Sequence, residues 1–540
     1  MLLGTSQLLL SSDRLSSREL HHLYKELISK SLNTSRIQIL SPSSAMEFSL
    51  TGFLALALFV FLTRKLFSPS KSKQNLPPEP WRLPIIGHMH HLIGSLPHHG
   101  LRDLARKYGP LMHLKLGELS TIIISDPRWA KEVLTTHDIA FADRPVVLTT
   151  EIVAYQNTDV VWSPYGDYWR QLRKLMTLEL MSVKKVKSFH YIREDECYNY
   201  LVKTLRDSAG SPVNLSQLIF NTIARVVCRT SFGKGCKDQE EFIDIVKELF
   251  HLTGGFDVAD VFPSKKIIHT LTGKRQKLES IHKRLDKILS DVITEHPGQH
   301  KESNEVESLL DVLLRLQASG EFKLTTKNVK AVTLDMFGGG TDTSSATLEW
   351  AVSELIRNPR VLKKAQAELR DALKGKERIE EADIQDLDYL KLVSRETLRM
   401  HLPLPLLFPR ECREACKLGG YDIPVGTKLM VNGWAINRDP AYWANPDSFI
   451  PERFSDNPNN VLGTEFEYLP FGAGRRMCPA AVLGIANVEV PLAHMLYYFD
   501  WELPNGAKGD DLDMVELFGA SVQRKNELYV VMKPHNFAKN

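Results

Sequence analysis

The stretch from residue 470 to 484, PFGAGRRMCPAAVLG, isolates one cysteine, Cys478, among glycines, arginines and a proline. Pro479 suits the first turn of a helix, because its missing N–H would go unpaired there anyway. The residues that follow, AAVLGIANVEV, continue as a helix. Cys478 is therefore expected at a helix N-terminus, where the dipole favours an anion. Gly472 and Gly474 allow a tight loop that turns amide donors toward the sulfur. Phe471 opens that loop, and Arg476 can neutralise a carboxylate nearby. A thiolate held this way suits a metal ligand, whose properties hydrogen bonds to sulfur would tune. The ordinary alternative is a buried structural cysteine.

Other segments carry chemistry that fits the first reading. WRQLR places Trp169 and Arg173 at i, i+4 on one helix face, an indole donor beside a guanidinium, which suits a bound carboxylate. ETLR sets Glu396 and Arg399 at i, i+3 on one face, and PERF adds Arg453 in a later loop. In DMFGGGTDTSSATLEW, residues 335 to 350, glycines interrupt a helical pattern that runs from about Thr325 to Asn358. Such a helix would be about 50 Å long, and each central glycine costs it roughly 1 kcal/mol against alanine. Something must approach that backbone closely or distort it. Asp342 and Thr343 follow at once, and an acid beside an alcohol in a widened helix suits a proton relay. Otherwise Thr343 bonds back to its own helix and Asp342 finds a basic partner.

The elements that must position these groups are mostly helices. Amphipathic patterns run over 167–206, 240–252, 274–296, 325–357 and 359–374, and LMHLKLG and STIIIS within 111–125 suggest a minor sheet. The expected fold is mainly α with a small β subdomain, in one continuous domain from residue 89 to 540. With 540 residues, 43% hydrophobic and 25% charged, the chain can bury a sizeable core. A net charge of +3 gives no case for general nucleic-acid binding. Six cysteines, sparsely and irregularly spaced, do not make a disulfide scaffold. Cys412 and Cys416 lack the second half of a zinc site. His88, His90, His91, His98 and His99 lie in a loop-like stretch, where surface or capping roles are expected and a metal site is not.

Residues 48 to 63, FSLTGFLALALFVFLT, carry no charge, and Arg64, Lys65 and the basic SKSK follow. Those cations hold the C-terminal side in the cytosol by the positive-inside rule. The reading is an uncleaved anchor over 46–66, with the body cytosolic. Residues 1–45 are read as an N-terminal extension, the natural start being Met46, with a plastid transit peptide as the alternative. The prolines of LPPEPWRLPIIG forbid a helix and make 67–88 a stiff hinge.

In order along the chain, these segments resemble the cytochrome P-450 family of haem-thiolate monooxygenases, from Met46 to about residue 533. The resemblance implies haem b with Cys478 as the iron ligand. It implies propionate-binding roles for Trp169, Arg173, Arg410 in FPRE, and Arg476, with Phe471 and Gly474 shaping the loop. It makes Glu396, Arg399 and Arg453 a structural ion network, and Gly340, Asp342 and Thr343 the oxygen-activating part of the long helix. The chain departs from the family at Ala480, where glycine is usual two places after the cysteine, and at Leu402, where plant members commonly have proline. An alanine methyl at 480 would press toward the haem face. PEPWRLPIIGHMHHLIG, HLTGGFDVADVFPSKK, DVLLRLQASGEF and EYLPFGAGRRMCP are similar to plant microsomal sesquiterpene oxidases, of the type that includes germacrene A and amorphadiene oxidases.

The implied reaction takes O2 and NADPH-derived electrons from an NADPH-cytochrome P-450 reductase at the endoplasmic reticulum membrane. The basic RQLRK and KKVK segments suit an acidic reductase. Segments that line substrate pockets in the family are almost uncharged here, which points to a small lipophilic substrate. From them Val146, Val147, Phe337, Gly339, Leu404, Leu407, Phe408 and Phe518 are the candidate pocket residues. The expected substrate is a germacrene or germacranolide-like sesquiterpene. The alternatives are another plant terpenoid, alkaloid or phenolic, or a haem-binding protein without monooxygenase activity.

Overall fold

The computed structural model describes residues 74–233, 238–252, 258–265, 272–295, 306–456 and 465–537. The anchor and extension expected over 1–66, and the start of the hinge, lie outside them. Among the described residues, no helix is long and apolar enough to cross a membrane.

The expected central helix is present as Thr326–Arg357, and Thr325 and Asn328 close its N-terminus with a reciprocal capping box. Its residues are buried around almost the whole circumference, so it runs through the interior instead of lying on the surface. Ahead of it come Pro97–Tyr108 (α1), Asp167–Leu175 (α2), Leu215–Phe232 (α3) and Gln239–His251 (α4), then Lys274–Glu295 (α5) and Leu309–Ser319 (α6). The central helix is α7. Pro359–Ala372 (α8), Asp388–Met400 (α9) and Ala481–Tyr498 (α10) follow. Helices α3, α9 and α10 pack directly on α7, and one large apolar core joins them. All the described residues fall in one compact unit.

The expected helix over 167–206 is not continuous. It breaks after α2 into short α and wider-turn segments, because Ser182 turns out of the helix and accepts the N–H of Lys185 to start a new one. The central helix also differs from expectation, since it is regular α-helix through its glycines. Two of the three are there for close approach. A methyl on Gly338 would meet Phe250 at 3.3 Å, and one on Gly340 would meet Val227 at 3.3 Å.

The minor sheet forms where expected. Strand Leu111–Leu116 (β1) pairs antiparallel with Leu119–Ile124 (β2), which runs parallel to Lys428–Val431 (β3). The described end of the hinge is lashed to β1: the N–H of His113 donates to Pro78, and the N–H of His88 donates to Lys115. His88 and His98 are fully buried, contrary to a surface role. The His88 ring bridges Pro80 O and the Lys115 N–H.

Candidate active site

Two adjoining cavities share the wall made by α7. The first, about 240 Å³, is lined by Cys478, Pro479 and Ala480, by Gly339, Gly340 and Thr343 of α7, and by five arginines, of which Arg395 stacks on Phe454. The second, about 320 Å³, shares Gly339, Thr343, Leu404, Leu407 and Phe408 with the first and adds Val147 and Phe518. Val146 and Phe337 line neither. Val146 is 62% exposed, and Phe337 is buried against Phe242, with ring centroids 4.6 Å apart.

Cys478 sits where the loop hands over to α10. The helix begins at Ala481 with Ala480 as N-cap, so Pro479 lies just outside the first turn instead of within it. The cysteine N–H donates to Phe471 O at 3.0 Å, which closes the loop. Gly472 and Gly474 both have positive φ, of 68° and 74°. At Gly474 a side chain is also excluded by space, since a methyl would come within 2.3 Å of Leu134 O. Burial pushes the Cys478 thiol up, while the Ala480 N–H and the Arg173 charge pull the other way. The free thiol thus stays protonated, and a metal cation is what would hold it as thiolate.

The arginines show what else the first cavity accommodates. Arg144, Arg173, Arg410 and Arg476 all line it. Among the described residues only Arg410 has a carboxylate partner, Asp138 at 2.6 Å. Asp138 is further held by the Arg475 N–H at 2.8 Å. Arg144 donates to the carbonyls of Val161, Phe408 and Pro409. Arg476 donates to Ala142 O and Ser163 O and lies over the Trp169 ring at 4.2 Å. The Arg173 guanidinium has no hydrogen-bond or ion-pair partner among the described residues, and burial lowers its pKa. These four buried or half-buried cations make one ion pair between them, and the carboxyls that also line the cavity, Asp335 and Glu489, are pushed by burial toward the neutral acid, so the cavity calls for an anionic guest. Apolar walls, a cysteine and this positive cluster fit a haem with its two propionates.

Trp169 does not offer its donor to the cavity. Its Nε1–H donates to Val160 O at 2.9 Å, and Arg476 reaches the same carbonyl at 3.4 Å. The Val160 N–H donates to Asp335 Oδ2 on α7 at 2.7 Å. The backbone of one residue, Val160, therefore joins the central helix to the arginine cluster through its N–H on one side and its C=O on the other. Asp335 and Asp159 face each other there; burial raises both carboxyls, Asp159 to about 6, and the pair holds a proton. The sequence gives little notice of Asp138, Asp159 or Asp335. The one available signal was a lone carboxylate in the apolar run VTLDMF.

The acid and the alcohol point different ways. Thr343 Oγ1 donates to Gly339 O at 2.7 Å, inside its own helix. Asp342 is buried and accepts from Gln523 Nε2 at 2.6 Å, so its partner is an amide and not a cation. Burial lifts its pKa to about 6, against the opposing hydrogen bonds from Ser521 and Gln523. The Glu396–Arg399 pair is no surface feature, since both side chains are 0% exposed. Arg399 Nε and Nη2 donate to the two Glu396 oxygens at 2.8 and 2.9 Å, and Arg453 Nε donates to Oε1 at 3.1 Å. Arg399 also holds the carbonyls of Asn437 and Pro446, which ties α9 to the chain leading to the cysteine loop.

A fold of this kind around such a cysteine is that of a haem-thiolate oxygenase, and residues 77–530 match the cytochrome P450 family model. The chain belongs to the cytochrome P450 family. It is 66% identical over 496 residues to a germacrene A hydroxylase of Barnadesia spinosa, which covers 92% of this chain and 100% of that one. It is 59% identical to the amorpha-4,11-diene 12-monooxygenase of Artemisia annua, over 90% of this chain and 98% of that one. A zebra fish cytochrome P450 structure with progesterone superimposes with a TM-score of 0.70 at 26% identity, covering 82% of this chain and all of that one. As a member, this chain is a monooxygenase. It uses thiolate-ligated haem iron, O2 and NADPH by way of a reductase.

Proposed function

We propose that this chain inserts one oxygen atom from O2 into a lipophilic sesquiterpene of germacrene or germacranolide type, in terpenoid biosynthesis. The observation that carries the reading is the pair of cavities: an arginine-rich one at Cys478 and, across Gly339 and Thr343, a mostly apolar one that also reaches Asp335 and Asp342. Relatives named for germacrene A and amorphadiene, at 59–66% identity, support the substrate class.

Bound haem supplies the activation of O2. Cys478 Sγ would ligate its iron and Arg173 would take a propionate, with Arg476 and Arg410 adding positive field at that end and Trp169 bracing the backbone beside it. Phe471 and Gly474 hold the cysteine loop in shape. Leu404, Leu407, Phe408, Val147 and Phe518 orient an apolar substrate and exclude water, because none offers a hydrogen bond. Gly339 leaves its side of α7 open, with no atom within 4 Å of the position a methyl would take, so substrate can approach that backbone. Thr343 Oγ1 moves a proton into the cavity when it turns from Gly339 O, and Asp342 resupplies it after leaving Gln523. Glu396, Arg399 and Arg453 keep α9 and the cysteine loop in register.

The reductase partner faces the basic surface of α2 and the following turn, where Arg170, Lys174, Lys184 and Lys187 are exposed. The anchor over 46–66 places the protein in the endoplasmic reticulum membrane, with residues 89–540 cytosolic. The deciding experiment is expression in microsomes with a plant reductase and a panel of sesquiterpenes, with products read by mass spectrometry. NADPH-dependent oxygenation of a germacrene-type substrate is expected; oxygenation only of phenolics or alkaloids would overturn the substrate class.

A further inference from the structure

Outside both cavities, three chemistry-bearing side chains converge on one point. His98 and His99 follow Pro97 in the first turn of α1. Glu516 lies in the strand Glu516–Phe518 (β4), which pairs with Val522–Arg524 (β5) as a short hairpin. His98 Nε2 is 2.9 Å from Glu516 Oε2, and His99 Nε2 is 3.3 Å from the same oxygen. The three donor atoms all lie within 4.8 Å of one another. Adjacent residues of a helix point about 100° apart, so two neighbouring rings aimed at one atom need outside support. Trp434 gives it, with ring centroids 5.0 Å from His98 and 4.3 Å from His99.

Hydrogen bonding accounts for only part of this arrangement. His98 Nε2–H donates to the carboxylate. His99 Nε2 is sealed from solvent, faces the same oxygen and lacks hydrogen-bond geometry to it, and the buried His98 Nδ1 has no partner either. We propose that His98 Nε2, His99 Nε2 and a Glu516 carboxylate oxygen bind a divalent transition-metal ion of the zinc class.

Two imidazoles and a carboxylate are a donor set that zinc takes. With metal–ligand bonds of about 2.0–2.2 Å in a tetrahedron, neighbouring ligand atoms stand about 3.3–3.5 Å apart. The separations of 2.9 and 3.3 Å need little expansion to match. The His99 ring meets solvent at its outer edge, its side chain being 34% exposed, while its Nε2 faces the cluster, so a fourth ligand would be a water molecule enclosed with the ion. Arg438 is stacked on Trp434 at 4.4 Å and feels the Glu516 charge as well as that of Asp447, 3.5 Å away, so it adds positive field that the ion must overcome. The ion ties α1 to the hairpin whose end, Phe518 to Ala520, lines the second cavity. It therefore stiffens one cavity wall without touching the reacting atoms.

The test uses the full-length, haem-loaded protein, stripped with a chelator and then titrated with Zn2+, followed by desalting and elemental analysis. Wild type is expected to retain one zinc per chain and to melt at a higher temperature with zinc than without. His99→Gln, which leaves the His98–Glu516 bond intact, is expected to keep the zinc-free melting temperature. Its zinc affinity should fall by more than the ten- to hundred-fold typical for loss of an outer-shell partner. Glu516→Gln, which keeps an acceptor but removes the charge, should behave alike. No zinc retained by wild type, or equal affinity in all three proteins, overturns the proposal.

Discussion

Thr343 donates its hydroxyl to Gly339 O at 2.7 Å, so the alcohol assigned to proton delivery is engaged by its own helix. Only a rotation about its side chain frees it. Thr343→Ala should leave folding nearly unchanged, since one such back-bond is worth about 1 kcal/mol or less. NADPH consumption should continue while product falls and hydrogen peroxide accumulates, and Thr343→Ser should restore coupling. The product-to-NADPH ratio checks this; unchanged coupling in the alanine variant removes Thr343 from the relay.

Arg173 and Cys478 make opposite demands on the empty and the loaded protein. Arg173→Met removes a half-buried cation without a partner, so the haem-free protein should become more stable. The loaded protein should lose a charge-assisted hydrogen bond worth about 1.5–3 kcal/mol, or ten- to hundred-fold in haem affinity. Thermal melts with and without haem read the change of sign. Cys478→Ala should abolish the shifted absorption of the reduced carbon monoxide complex; its survival would exclude Cys478 as ligand.

Asp342 titrates near 6 because burial disfavours its charged form. A carboxyl whose folded pKa lies above its unfolded value near 3.8 stabilises the fold least when ionised. The cost is absent below about pH 4, grows through pH 6 and is complete above it. Asp342→Asn should therefore stabilise the protein at pH 7.5 by up to about 3 kcal/mol and change little at pH 4. Chemical denaturation across that range tests it; an offset that does not vary with pH would mean Asp342 is already ionised at low pH or already neutral at high pH.

Glu396 holds two guanidiniums in a site closed to water. Glu396→Gln leaves Arg399 and Arg453 without a counter-charge, a loss of about 3–5 kcal/mol. The expected result is protein that is largely insoluble or fails to retain haem, whereas Arg453→Lys, nearer the surface, should be tolerated. Soluble yield and absorbance per milligram distinguish the two.

How much of this was legible in the sequence depends on how local each feature is. The Glu396–Arg399 contact follows from helix spacing alone, and the β1–β2 pair from alternating apolar runs. Phe337 lies six positions before Thr343, about 240° around the helix, so it faces the core while Thr343 faces the cavities. Val147 is extended, with φ −119° and ψ 151°. Neighbours in such backbone project to opposite sides, which turns Val147 inward and Val146 out. Hydrophobicity alone cannot make that distinction. Arg144, Asp138 and Asp335 gain their places from contacts far along the chain, such as Arg144 to Phe408, that no local pattern records.

Val160, with its N–H held by Asp335 and its C=O held by Trp169 and Arg476, is a rivet between the central helix and the arginine end of the first cavity. Loosening that rivet slackens the seat of the prosthetic group without altering the apolar walls. A variant that weakens the Asp335 contact is therefore expected to shed its colour before it loses its selectivity.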